Sequence, residues 1–284
     1  MNIEELRGKA DACKSTGTIA TMDWALWSEK IRSKMIFDDP SQFLRWPCIQ
    51  ETMFVTHARG YIEKELDYIL SLPQSRWRRA LREHPIGGPV IANNNLYTSG
   101  NLIHMVYHIA MFELLSGVEV SSLDTVLEVG GGYGCMRRAM RNLGFAGRYA
   151  IFDLPVLLAL QEFYIDSTLS GETEFLDDVA GFEPSGRSLC IGMWSLSEMP
   201  LTVRAKLEQI LPAFDFTFFA YQKEYSGIDN TTYFDGLADR IGHSKSVFHE
   251  IHQGNFYLLT EAANGEQVVR YRVGENGKGI TGGS

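Results

Sequence analysis

From Asp124 onward the chain alternates short runs rich in β-branched and aromatic residues with longer amphipathic stretches, and this alternation leaves few folds open. The runs are TVLEVG (125–130), RYAIFDLP (148–155), TEFLDD (173–178), SLCIGMWS (188–195) and FDFTFFAYQ (214–222). Between them GCMRRAMRNLG, PVLLALQEFYIDSTL, PLTVRAKLEQIL and TTYFDGLADRIG place apolar residues at helical spacing. Strands separated by helices are joined by right-handed crossovers, so neighbouring strands run parallel and the sheet is covered on both faces. The pattern then changes: SKSVFHEI and FYLLTEA are linked by the short HQGN, which forces an antiparallel pair. Five parallel strands followed by a hairpin are not the two mononucleotide-binding halves of a dinucleotide fold.

Residues 1 to about 120 read differently. PCIQETMFVTHARGYIEKELDYILSL and GNLIHMVYHIAMFELLSG are helical in period, separated by the turn-rich HPIGGPVIANNN. The expected organisation is a helical N-terminal cap over 1–120 and an α/β Rossmann-like domain over 121–284. Its tail, GENGKGITGGS, is too rich in glycine to be expected to pack.

The first strand runs into the first helix through EVGGGYG, with four glycines among residues 130–134. In an open α/β sheet, ligands bind beyond the carboxyl ends of the strands. Gly130, Gly132 and Gly134 are free to take positive φ and to leave room for a bound molecule, while the N–H groups of the helix start favour a negative group. A dinucleotide turn reads GxGxxG, but the sixth position from Gly130 is Cys135. The pattern present is E-x-G-x-G-x-G. Glu128 at the strand tip suits a ligand with an ammonium group, such as the methionine part of S-adenosylmethionine (SAM). The second strand ends in Asp153, 153 − 128 = 25 residues later, near the spacing at which a carboxylate receives ribose hydroxyls in nucleotide-binding βαβ units. The competing role for Asp153 is that of helix N-cap.

VLEVGGGYG, IFDLP and WSLSEMP resemble the first, second and fourth strand motifs of class I SAM-dependent methyltransferases, nearest to the bacterial sugar O-methyltransferase family. The resemblance is firm over 124–200, fair to about 260, and in the helical region confined to YTSGNLIHMVYHI. It implies a parallel sheet with a terminal antiparallel hairpin, and SAM as cofactor. It also implies that Glu128, Gly130 and Gly132 surround the methionine portion and that Asp153, with Leu154 beside it, binds ribose. The same resemblance brings Asp177 or Asp178 to the adenine amine, sets Trp194 and Ser195 at the border of cofactor or acceptor, and places Tyr97, Ser99 and Asn101 near the cofactor. A polar turn with an N-cap explains the last three equally well.

Methyl transfer to a hydroxyl needs a base for the departing proton. Glu198, after the fourth strand, is one candidate, and Trp194 and Met199 would desolvate it; as a first-turn acid it would instead serve the helix dipole. His104 is the other candidate. It shares a helix face with His108, but no third ligand stands at metal-site spacing, so no metal is expected. Gln222 and Asp229, after the fifth strand, are placed to bond a polyhydroxylated acceptor or to belong to an ordinary loop. His249 and His252, an odd number apart, would face opposite sides of a strand.

A net charge of −9 argues against nucleic acid, whose binding draws on Lys and Arg. The basic SRWRRALR, with Arg76 and Arg79 on one face, reads as solvated surface rather than a phosphate site. The four cysteines form no CxxC pair, MNIEELRGKADACKSTG lacks the apolar core of a signal peptide, and no run approaches a membrane span, so a cytoplasmic protein is expected. The expected activity is methylation of a sugar or other small polar acceptor, against an aromatic or polyketide-like natural product or a catalytically silent SAM-binding module. A homo-oligomer stays open.

Overall fold

The computed structural model describes residues 1–13, 20–54, 60–252, 254–262, 269–273 and 279–281. In chain order the N-terminal elements are helices α1 (Ile3–Ala12), α2 (Met22–Phe37), α3 (Pro47–Met53), α4 (Tyr61–Ser71) and α5 (Ser75–Ala80), strands β1 (Ile91–Asn93) and β2 (Thr98–Ser99), and helix α6 (Gly100–Ser116). The alternating region follows with β3 (Thr125–Val129), α7 (Cys135–Asn142), β4 (Arg148–Phe152), α8 (Pro155–Thr168), β5 (Glu174–Leu176), β6 (Ser188–Met193), α9 (Ser195–Glu198), α10 (Leu201–Glu208) and β7 (Phe216–Gln222). The chain continues with β8 (Glu224–Tyr225), β9 (Ile228–Asp229), α11 (Asn230–Asp235), α12 (Leu237–Arg240), β10 (His243–His252), β11 (Asn255–Ala262), β12 (Val269–Val273) and β13 (Gly279–Thr281).

Two compact units result. One comprises Met1–Ser122, Gly131–Ala146 and Asp153–Asp177, so α7, β5 and α8 cluster with the N-terminal helices. The other comprises Leu123–Gly130, Gly147–Phe152 and Asp178–Ser284, and holds most of the sheet.

In the sheet unit the strands pair in the order β13-β12-β10-β11-β7-β6-β3-β4. β4, β3, β6 and β7 are mutually parallel, and β11 adds antiparallel to β7 and to β10. Parallel strands covered on both faces read as unbroken apolar runs, and β3 and nearly all of β7 are buried accordingly. This order, with an antiparallel strand inserted beside the last parallel one, is a Rossmann-like mixed sheet. β12 and β13 extend the sheet, so part of the glycine-rich tail forms an edge strand where no packing was expected; 274–278 and 282–284 lie outside the described residues.

The helical unit follows its local signals. α6 starts at Ser99, whose hydroxyl accepts the Leu102 N–H (3.1 Å), and stops at Gly117 (φ +71°), the left-handed position glycine fills at helix ends. α8 begins with Pro155, whose missing N–H costs nothing at a first helical position. The helical segment expected through 47–72 forms α3 and α4, with 55–59 outside the described residues. The turn-rich segment before α6 contributes a short ribbon, β1 with β2, that the sequence pattern did not announce.

Candidate functional site

In the sheet unit the carboxyl ends of the parallel strands gather several expected residues. β3 and β4 stay in register to their last residues, Val129 opposite Phe152, and the Gly130 N–H donates to the Phe152 carbonyl (2.8 Å). The chain therefore enters Gly131 and Asp153 from two adjacent strand tips. Glu128 is 5% exposed, and its Oε2 accepts the Tyr149 hydroxyl (2.7 Å). Gly130 has φ +74°, and a Cβ there would collide with Cβ of Ser195, whose hydroxyl donates to the Val129 carbonyl. The bare backbone at Gly130 thus makes room for the protein's own Ser195.

Past β6, Trp194 adopts φ +62°, its N–H donates to the Ala220 carbonyl (2.8 Å), and its indole N–H donates to Asn255 Oδ1 (2.9 Å). The Ser197 hydroxyl bridges the Trp194 carbonyl (2.6 Å) and Gln222 Oε1 (2.8 Å), and Gln222 Nε2 donates to Glu198 Oε1 (3.3 Å). Gln222 therefore orients Glu198. Beneath this segment lies Arg204, 0% exposed, which donates to the carbonyls of Met199 (2.9 Å) and Ser197 (2.6 Å) and to Asn230 Oδ1 (2.8 Å). Burial holds its guanidinium below the ordinary value, and three neutral acceptors fasten the loop that carries Glu198. No sequence signal marked this arginine beyond its place in α10.

In the helical unit the turn closes with the Gly134 N–H on the Gly131 carbonyl (2.8 Å). Gly134 sits against Ile165, where a Cβ would come within 3.1 Å of the side chain. Gly132 (φ +57°) is different: among the described residues a Cβ there would meet only the Met53 sulfur, at 3.9 Å. Its bareness is not demanded by the protein's packing.

Asp153 is 6% exposed. Its Oδ1 accepts the Leu154 N–H (2.7 Å), its Oδ2 accepts Gln161 Nε2 (2.6 Å), and the same amide donates to the Gly132 carbonyl (3.1 Å). The N–H of Asp153 donates to the Leu176 carbonyl at the end of β5 (3.2 Å). Burial pushes the carboxyl up to about 7, against the pull of the hydrogen bonds from Leu154, Gln161, Gly131 and Gly132. The N-cap position of α8 belongs to Leu154, so the capping alternative for Asp153 is not realised. Asp177, just after β5, is exposed, whereas Asp178 accepts the N–H groups of Val179 (2.8 Å) and Ala180 (3.3 Å) in a turn.

At the start of α6, Ser99 caps the helix and donates to Glu83 Oε2 (2.5 Å), Tyr97 stands at φ +51° with 42% of its surface exposed, and Asn101 Nδ2 donates to the Met53 carbonyl (2.9 Å). Met53 thus links the first turn of α6 to the open side of Gly132. One turn on, buried His104 holds Nδ1 2.9 Å from both oxygens of Glu65 in α4 and stacks edge-on against His108, ring centres 4.1 Å apart. Burial, then the nearby His104, drive His108 well below the usual imidazole range. Glu65 lies 39 residues from His104 and carried no signal in the sequence. Among the described residues no group of three metal-ligating side chains forms.

Other expectations resolve locally. Asp229 caps α11, accepting the Thr231 N–H (2.9 Å). His249 stacks on Tyr257, and a bulge between Glu250 and His252 interrupts the alternation from which opposite facing was inferred; the His252 side chain and residue 253 lie outside the described residues. In SRWRRALR, Arg79 is exposed as expected and donates to Ser75 Oγ (3.2 Å), whereas the Arg76 side chain is largely buried against Glu113 (2.7 Å), which corrects the expected solvated surface at that position. Among the described residues no helix is long and apolar enough to cross a membrane.

No protein-family model and no curated protein matches the chain. Among solved structures it is similar to PigF with SAH (16% identity, 81% of this chain and 77% of that one, TM-score 0.43). It is also similar to magnesium protoporphyrin IX methyltransferase (ChlM) from Synechocystis PCC 6803 with bound SAM (14% identity, 74% and 100%, TM-score 0.43). A third is a SAM-dependent methyltransferase from Aquifex aeolicus (15% identity, 54% and 89%, TM-score 0.39). Similarity at this level assigns no role to any residue.

Proposed function

We propose that the protein is a SAM-dependent O-methyltransferase acting on a hydroxyl of a sugar or other small polar metabolite. The observation that carries this reading is the turn after β3: Gly132 presents a face that the described protein atoms do not fill, and its carbonyl shares one amide with the Asp153 carboxylate. A carboxylate fixed beside a bare turn suits a nucleoside with vicinal ribose hydroxyls, and the turn suits a ligand whose bulk would clash with any Cβ. Glu128, Gly130 and Gly132 are assigned to the methionine portion, Asp153 and Leu154 to ribose, and Asp177 or Asp178 to adenine. Trp194, Ser195, Tyr97, Ser99 and Asn101 are assigned to the surroundings. When bound, SAM supplies a methyl group already activated on a sulfonium.

The chain's own task is to hold an acceptor in line, exclude water and take the hydroxyl proton. Glu198 is the favoured base because Gln222 and Arg204 fix its loop at the carboxyl end of β6. His104, steadied by Glu65, is the alternative base. Calorimetry with SAM and SAH tests the cofactor, and transfer of a labelled methyl into a panel of sugars and glycosides tests the acceptor. Binding of a nicotinamide dinucleotide with no response to SAM or SAH would refute the proposal.

A further inference from the structure

α8 is apolar over most of its length: Leu157, Leu158, Leu160, Phe163 and Tyr164 are all buried. In their midst stands Gln161, 0% exposed. A primary amide buried among hydrocarbon is costly unless its polar atoms are bonded. Here both observed bonds come from one atom: Nε2 donates to Asp153 Oδ2 (2.6 Å) and to the Gly132 carbonyl (3.1 Å), while Oε1 is buried with no partner among the described residues. Exchanging the amide oxygen and nitrogen would point three acceptors at one another, so chemistry fixes the orientation. The side chain therefore leaves its acceptor without a partner among the described residues and directs its donors to two groups far apart in sequence.

Those two groups are the acid after β4 and the turn glycine whose open face the described residues do not fill. We propose that Gln161 is the positioning residue of the nucleoside site: it ties the Asp153 carboxylate to the Gly132 carbonyl, so that acid and turn meet the ribose in a single fixed arrangement. This rests on the cofactor reading above and adds to it a residue that touches neither ribose nor methyl. Packing of α8 alone would be met by leucine or methionine at 161; it is the pair of directed donors that only an amide of this length supplies.

The test is calorimetric titration of the full chain with SAH across pH, with melting curves as a control for folding. Wild-type affinity should tighten about tenfold from about pH 6 to about pH 8, as a carboxylate accepting ribose hydroxyls becomes ionised. In Gln161→Leu, binding near neutral pH should weaken roughly tenfold or more, and the rise should move to higher pH, because a buried acid has lost a donor. Gln161→Glu is nearly isosteric, and its protonated carboxyl still donates at the acidic end, so it keeps the test decisive if the leucine variant does not fold. The two facing carboxyls should share one proton across this range, so the wild-type rise between about pH 6 and about pH 8 should be lost. A lowered melting temperature with wild-type SAH affinity and an unchanged pH profile in either variant would overturn the proposal and leave Gln161 a packing residue. Failure of the wild-type chain to bind SAH at any pH would instead overturn the cofactor reading itself.

Discussion

The turn after β3 allows a paired experiment in which two alanines with similar backbone cost should have different consequences. Gly130 (φ +74°) and Gly132 (φ +57°) both occupy the left-handed region, where an L-residue costs about 1–2 kcal/mol relative to glycine. At Gly132 a Cβ meets, among the described residues, only the Met53 sulfur at 3.9 Å, an ordinary contact, so Gly132→Ala should cost the apo fold no more than that. At Gly130 the added carbon collides with Ser195 within the sheet unit, and overpacking adds about 1–3 kcal/mol, for a total of roughly 2–5 kcal/mol. A denaturant titration measures both. Binding should follow the opposite order relative to stability. On the proposed cofactor reading, Gly132→Ala should remain folded and lose SAH affinity by at least about tenfold, or ~1.4 kcal/mol, because its methyl group would occupy the face assigned to the ligand. Gly130→Ala should lose stability first. If Gly132→Ala binds SAH like the wild type, the open side of this glycine is not where the cofactor lies, and the central inference fails.

Other outcomes are equally concrete. SAH affinity should rise through neutral pH as Asp153, pushed up to about 7 by burial, ionises, and Asp153→Asn should abolish that rise. The same shift acts on the apo fold with the opposite sign: a raised carboxyl pKa favours the native state fully below its ordinary value of 3.8, and that contribution is lost as pH climbs toward about 7, which melts at successive pH values will report. Glu198→Gln should cut turnover by roughly 100- to 10,000-fold while leaving SAH affinity unchanged, measured by methyl transfer and calorimetry; equal turnover would move the base to His104. Arg204→Ala strips the hydrogen bonds from Ser197, Met199 and Asn230 and should destabilise the chain by about 2–5 kcal/mol, read by denaturant titration.

The parallel strands and most of their helices were legible because burial on both faces writes continuous apolar runs, and amphipathic helices write a period near 3.6. The glycine turn after β3 was legible because backbone at positive φ favours glycine. What remained hidden was who pairs with whom. Periodicity assigns Gln161, Arg204 and His104 to helix faces, but not the carboxylate, carbonyls or acid they meet. The pairs Glu65 with His104 and Glu83 with Arg138 span 39 and 55 residues, distances at which local pattern is silent. Gly130 gives a second case: its bare backbone accommodates a serine 65 positions later, an approach visible only in three dimensions.

Glu83 is the common anchor of two helix beginnings in the helical unit. Its carboxylate takes the Ser99 hydroxyl that caps α6 and the guanidinium of Arg138 in the first turns of α7 (2.5 Å each), while Arg138 also reaches the Tyr164 hydroxyl (2.8 Å). With one buried anion shared this way, neither helix start is able to slide without stranding a charge. A change at position 83 would therefore loosen the starts of α6 and α7 together.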